Sequence, residues 1–154
     1  MKNQLVIMVG LPGSGKTTYA KKCCEMFPER WVCFEADMYF EEGGQYKFNP
    51  KKLGEAHDWC YQQVEQALID GKNVFVANTN LTKWERGKYI RLASEVQNVE
   101  VKIVICTGNY QNVHGVPEEK LKLMKERYET PSADEFDNFN EKYVITNSKG
   151  TQYV

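Results

Sequence analysis

The chain has little of what would mark a metalloprotein, a disulfide-stapled domain or a binder of charged polymers. Its two histidines and five cysteines form no C-x-x-C pair and no Cys/His cluster at zinc spacing, so no structural metal is expected. The odd set Cys23, Cys24, Cys33, Cys60 and Cys106 suits a disulfide framework badly and fits a reducing, cytoplasmic compartment. Charge of one sign is missing too. Lys+Arg 20 against Asp+Glu 21 leaves a formal net charge of -1, which gives no global field to hold an acidic polymer, so any nucleic-acid contact must be local. The apolar run at 5–9 is far too short to span a bilayer and lacks a signal-peptide cleavage pattern, so no membrane partner is expected.

What is present suffices for one core. At 154 residues and 42% hydrophobic content, a single domain over 1–154 is expected. Runs rich in β-branched or aromatic residues at 5–9, 31–35, 73–77, 99–106 and 142–146 read as strands. Helical patterns at 16–27, 51–70, 82–96 and 118–128 alternate with them. Pro50 after Asn49, the capping box of Thr82 and Glu85, and Pro117 mark helix starts. Leu53, Ala56, Cys60, Val64, Ala67 and Leu68 give the second helix a core face. A short helix is expected around Ser132 and Glu135, and 147–150 reads as a turn between two short segments. Strands alternating with helices imply an α/β fold with a mainly parallel sheet covered on both faces, and ligand sites beyond the strands' C-terminal ends.

Between the first strand and first helix lies Gly10-Leu11-Pro12-Gly13-Ser14-Gly15-Lys16-Thr17, which matches G-x-x-x-x-G-K-[ST] in the required strand–loop–helix context. The glycines let the backbone approach a ligand closely, so that successive N–H groups point at phosphate oxygens. The helix beginning near Lys16 adds its N-terminal partial charge. Lys16 would reach the β- and γ-phosphates, and Thr17 would offer its hydroxyl to Mg²⁺. The nucleotide-binding set is therefore Gly10, Pro12, Gly13, Ser14, Gly15, Lys16, Thr17 and Thr18.

The reaction needs further residues. No N-K-x-D motif for guanine is present. The strand Val74-Phe75-Val76-Ala77 runs into Asn78-Thr79-Asn80 with no acid of the kind a hydrolytic ATPase carries there. The carboxylate follows the second strand instead, at Asp37 after Phe34-Glu35-Ala36. A kinase acting on an alcohol needs a carboxylate at the acceptor hydroxyl, and Asp37 is suitably placed, although a turn or cap aspartate would look the same. Glu35 alternates with it along the strand end; it is either a water-mediated Mg²⁺ ligand or a surface glutamate, and stands outside the expected site.

In these motifs the sequence resembles the small P-loop (AAA-type) kinase family that includes phage-type 5′-hydroxyl polynucleotide kinase. The resemblance covers roughly residues 3–129. It rests on the loop through Thr18, then Ala36-Asp37-Met38-Tyr39, Ala56-His57, Asn78-Thr79-Asn80-Leu81-Thr82 and Asn112-Val113-His114-Gly115-Val116-Pro117. It implies a P-loop NTPase three-layer sandwich with a five-stranded sheet in the order 2-3-1-4-5, ATP as donor, and Asp37 as general base toward a hydroxyl. Two departures stand out. Phe40 occupies the place of an acceptor-side arginine, and the lid at 107–117 contains no arginine to meet the transferring phosphoryl group. Arg86 and Arg127 are the available substitutes.

Other residues admit two readings. Asn78 and Asn80, beside the phosphate loop, would position acceptor or water, or close a turn and cap the next helix. His114 would touch phosphate or acceptor, or shape the lid; His57, on the core-facing stripe, reads as a packed histidine. The basic runs Lys83, Arg86, Lys88, Arg91 and Lys120, Lys122, Lys125, Arg127 are solvated faces unless they line one cleft. Tyr39, Phe40, Tyr46 and Phe48, in the acceptor loop at about 37–49, either stack on an acceptor or pack as a small cluster; this loop is expected to choose the acceptor. The favoured function is transfer of a phosphoryl group from Mg-ATP to a hydroxyl, with Lys16 and Asp37 catalytic. The favoured acceptor is a polynucleotide 5′ end or a nucleoside-like molecule. A small-metabolite kinase and a nucleotide-binding regulatory module with little turnover are the alternatives.

Overall fold

The computed structural model describes residues 2–108, 116–136, 144–147 and 152–153. Among the described residues, fifteen elements succeed one another. They are β1 (Asn3–Val9), α1 (Lys16–Met26), β2 (Trp31–Phe34), the 3-10 turn Ala36–Phe40, β3 (Glu41–Glu42), β4 (Gln45–Tyr46), the 3-10 turn Pro50–Lys52, α2 (Leu53–Ile69), β5 (Asn73–Val76), α3 (Lys83–Glu95), β6 (Val99–Ile105), α4 (Glu118–Arg127), the 3-10 turn Ala133–Phe136, β7 (Val144–Asn147) and β8 (Gln152–Tyr153).

β1 is apolar on both sides, from Leu5 to Val9, as a strand buried between two helical layers must be. Its alternation sorts the core: Leu5, Ile7 and Val9 face α2 and α3, while Val6 and Met8 pack toward Ala20 of α1. β5 flanks β1 on one side, with Ile7 opposite Val76, and β6 on the other, with Ile7 opposite Ile103. The sheet runs β2-β5-β1-β6-β7-β8, which contains the 2-3-1-4-5 order that the resemblance implies. Its first five strands are parallel, and β8 adds an antiparallel edge. Being parallel, β1, β2, β5 and β6 deliver the loops that follow them to one edge of the sheet.

The element starts follow local chemistry. Asn49 accepts from the Lys51 N–H at 3.1 Å ahead of Pro50, and Thr82 accepts from the Glu85 N–H at 3.2 Å. Of the expected α2 face, Ala56, Cys60, Val64, Ala67 and Leu68 are buried, but Leu53 in the first turn is exposed. The loop after Asp37 holds a short hairpin that periodicity did not reveal. Glu41 pairs with Tyr46 around Gly43 and Gly44, both at positive φ, the usual chemistry of a two-residue hairpin turn.

Arg86 is the largest departure from expectation. It is 0% exposed. Its Nε and Nη2 hold the Glu135 carboxylate at 2.8 and 3.1 Å, while Nη1 and Nη2 donate to the carbonyls of Asn80 and Glu129 at 2.8 Å each. The guanidinium ties α3 to the segment after α4 and has no freedom to reach a phosphoryl group. Removing one partner of a buried, bidentate pair leaves the other charged and dry. Arg86→Ala is expected to lose about 3–5 kcal/mol of unfolding free energy in urea titrations. The double variant Arg86→Met, Glu135→Leu should lose much less.

Candidate active site

At the C-terminal edge of the sheet, the loop between β1 and α1 folds back on itself. Gly15 has φ 98 and is the N-cap of α1, a left-handed position that a side chain would strain. Gly10 is held by space rather than torsion: a Cβ there would lie 2.6 Å from the Cys106 carbonyl oxygen. The Gly10 N–H donates to the Thr79 carbonyl at 3.1 Å, and Gly108 N–H to the Ser14 carbonyl at 3.2 Å, so the loop is fastened from β5 and from β6.

Lys16 lies inside this loop, 7% exposed. Its Nζ donates to the carbonyls of Gly10 and Leu11, each at 2.8 Å. Burial lowers its pKa to about 8, against the opposing pull of Cys106, Glu35 and Asp37. A cation withdrawn from water on carbonyl dipoles is poised for an anionic ligand. The buried Ser14 Oγ, which has no hydrogen-bond partner among the described residues, is a second polar group awaiting one. Together with the α1 N-terminus, these features fit a triphosphate.

Across from the loop, β2 ends and two carboxylates follow. Thr17 Oγ1 donates to Glu35 Oε2 at 3.1 Å. Glu35 was not among the expected site residues. Its alternation with Asp37 raises the metal-ligand reading in sequence, but Asp37 lies in the 3-10 turn Ala36–Phe40, and it is the Thr17 contact that favours that reading over a surface glutamate. A hydroxyl and a carboxylate are hard oxygen donors of the sort that hold Mg²⁺, and the pair fits that ion. Asp37 is near enough for its charge to act on Lys16, and its Oδ1 accepts from the Tyr46 hydroxyl at 3.1 Å. Burial, then the Asp37 charge and hydrogen bond, push Tyr46 up to about 12, so its phenol stays a donor.

Asn78 and Asn80 belong to the frame. Asn78 Oδ1 accepts from the Ala36 N–H at 2.7 Å, beside Asp37. Asn80 is 2% exposed at φ 48, and its Nδ2 donates to the Met8 and Asn78 carbonyls at 2.7 and 3.1 Å. Asn78 Nδ2 donates in turn to Cys60 Sγ at 3.6 Å, so both amides are engaged within the fold. Arg127 is also engaged, with Nη2 2.6 Å from Glu85 Oε1. His57 is half-buried, and burial lowers its pKa. His114 and the lid at 109–115 lie outside the described residues.

The comparisons with known proteins agree with this geometry. A family model described as an AAA domain matches residues 5–131. The chain belongs to that family. The resemblance to small P-loop kinases drawn from the motifs is thereby upheld, and the loop is a P-loop of the nucleotide-binding kind. Human NEDD4-binding protein 2 is 34% identical over 137 residues, which is 81% of this chain and 8% of that protein. The protein named "Putative bifunctional polynucleotide phosphatase/kinase" of Acanthamoeba polyphaga mimivirus is 29% identical over 104 residues, 68% of this chain and 21% of its own length. The chain therefore spans a small part of both relatives. Chaetomium thermophilum Kti12, in complex with ADP-AlF3, shares the fold at a TM-score of 0.68 with 16% identity, covering 92% of this chain and 87% of that one. Among the described residues, no helix is long and apolar enough to cross a membrane.

The Lys16 environment sets a pH dependence. Below about pH 8 the free lysine is protonated; above it the charge is lost. Bound phosphate raises that pKa, so binding takes up a proton in this upper range. ATP affinity by calorimetry should be flat below about pH 8 and fall by up to about tenfold per pH unit above it. The slope should vanish in Lys16→Met.

Proposed function

We propose that this chain transfers the γ-phosphoryl group of Mg-ATP to an alcohol, and that the alcohol is the 5′-hydroxyl of a polynucleotide or of a nucleoside-like molecule. The observation that carries the proposal is the arrangement of charge around the phosphate loop. A buried loop lysine feels the charges of Glu35 and Asp37, and Asp37 stands beyond the Thr17–Glu35 pair with its orientation fixed by Tyr46.

The residues then divide the work. Backbone N–H groups of the loop and the α1 N-terminus hold the phosphates, and Lys16 neutralises charge on the transferring group. Thr17 and Glu35 would hold Mg²⁺, which supplies further charge neutralisation and aligns the phosphate tail. Asp37 accepts the acceptor's hydroxyl proton as the new O–P bond forms. The bond from the γ-phosphorus to its bridging oxygen breaks, and ADP leaves with that electron pair. The step is balanced: one proton moves to Asp37 and one phosphoryl group changes oxygen.

Support for a nucleic-acid acceptor comes from the mimivirus relative's name. A second reading rests on one observation. Arg86 and Arg127 are both engaged elsewhere and the lid sequence has no arginine, which favours slow turnover and a regulatory nucleotide-binding module. Labelled ATP incubated with 5′-hydroxyl oligonucleotides, nucleosides and polyols discriminates the two. The proposal predicts label in an acceptor. Asp37→Asn should reduce transfer by at least about a hundredfold with ATP affinity preserved, and Glu35→Gln should raise the Mg²⁺ concentration needed for half-maximal rate. Label released only as free phosphate, unchanged in Asp37→Asn, would sink the kinase reading. ATP binding without transfer to any acceptor would favour the module.

A further inference from the structure

The hairpin after Asp37 places an aromatic surface next to the general base of the proposed reaction. Tyr46 touches Asp37 through its hydroxyl, so an acceptor whose alcohol meets Asp37 lies beside the Tyr46 ring. That ring and Phe48 are nearly parallel, at 11° with centroids 6.3 Å apart. Both remain substantially exposed, 45% and 42%. Beneath them Phe40 is 3% exposed and meets both edge-on, at 6.3 Å to Tyr46 and 5.1 Å to Phe48. The residue that replaces an arginine is thus the floor of this platform. Lys120 Nζ of α4 lies over the Phe48 ring, 5.7 Å from its centroid, and so places a cation beside this platform.

We infer that the hairpin is an acceptor reader with two parts: the Tyr46 hydroxyl orients Asp37, and the Tyr46 and Phe48 rings stack on a planar base attached to the sugar whose hydroxyl reacts. This inference rests on the phosphotransfer reading and names the residues that would read the acceptor's base. A cluster serving only stability would cover its large rings, whereas here one aromatic is buried and two present surface beside a carboxylate. Stacking suits bases without regard to sequence, because every base has a π face. The Lys120 ammonium would favour a phosphate following the base, as in an oligonucleotide, over a free nucleoside. Tyr46 is a positioning residue, acting through Asp37; Phe48 determines specificity.

The test uses the full chain and a short single-stranded oligonucleotide with a free 5′-hydroxyl and 2-aminopurine as its 5′ base. Stacking quenches the fluorescence of that base. Wild-type protein should quench it, and Phe48→Leu should weaken the quenching titration by about tenfold. In label transfer, Phe48→Leu should raise KM for oligonucleotide and nucleoside alike with kcat nearly unchanged. Tyr46→Phe keeps the ring and should do the reverse, lowering kcat about tenfold with quenching and KM preserved. Unchanged melting temperatures keep these changes from being attributed to unfolding. A lower KM for the oligonucleotide than for the nucleoside assigns the acceptor to a polynucleotide end; equal values assign it to the nucleoside. Transfer to an acceptor with no quenching, or with quenching indifferent to Phe48→Leu, overturns the platform while the kinase reading stands. Quenching lost in Phe48→Leu without label transfer upholds the platform and overturns the kinase reading.

Discussion

Three consecutive residues set the geometry on which the candidate site depends. At the end of β5, Asn78 grips the Ala36 N–H beside Asp37, the Thr79 carbonyl receives the Gly10 N–H of the phosphate loop, and Asn80 reaches the Met8 carbonyl at the end of β1. The strand between the phosphate loop and Asp37 thus fastens both. Its clip is itself anchored, because the Asn80 carbonyl is held by Arg86, whose other bonds run to Glu129 and Glu135. Phosphoryl transfer needs reacting groups placed to within fractions of an ångström, and short polar bridges between adjacent parallel strands provide such placement. Acidity at this strand end would offer a metal ligand; asparagine offers both a donor and an acceptor to the neighbouring backbone.

The electrostatics follow from that frame. Lys16 is taken out of water and bonded to its own loop's carbonyls. Its charge is balanced at a distance by Glu35 and Asp37 rather than by a contacting carboxylate, so a polyphosphate can displace the carbonyls without first breaking an ion pair. The Thr17–Glu35 bond puts a hydroxyl and an acid together at the start of α1. Tyr46 contributes on the acceptor side, where a phenol held up at about 12 remains a hydrogen-bond donor to Asp37 across the ordinary pH range.

Much of this was legible in sequence because it is local. Gly10 to Thr18, the buried strand Asn3–Val9 and the caps at Asn49 and Thr82 are set by short-range rules of torsion, periodicity and capping. The strand order is what the family resemblance implies, and the sheet has it. What was not legible is long-range. Arg86 looked like a spare catalytic cation on a basic helix, yet its carboxylate partner lies 49 residues on, at Glu135. Asn78 and Asn80 admit a ligand-positioning and a turn-closing reading in sequence, and neither names their backbone partners, 42 and 72 residues away. Glu35 admits both a metal-ligand and a surface reading in sequence, because nothing within the β2 strand end shows that Thr17 faces it. The Tyr46–Asp37 bond spans only nine residues, but it depends on a Gly43-Gly44 turn that carries no periodic signal.

The central claim is that one cleft joins a phosphate-holding lysine to an acceptor-activating carboxylate. A crystal structure of the chain with Mg²⁺, ADP, aluminium fluoride and a 5′-hydroxyl dinucleotide tests it most directly. The account predicts Lys16 Nζ on the phosphate or fluoride ligands, Thr17 and Glu35 toward the metal, and the acceptor oxygen within hydrogen-bond distance of Asp37, in line with the leaving oxygen of ADP. Nucleotide bound with Lys16 still on the Gly10 and Leu11 carbonyls, or an acceptor seated away from Asp37, would contradict it.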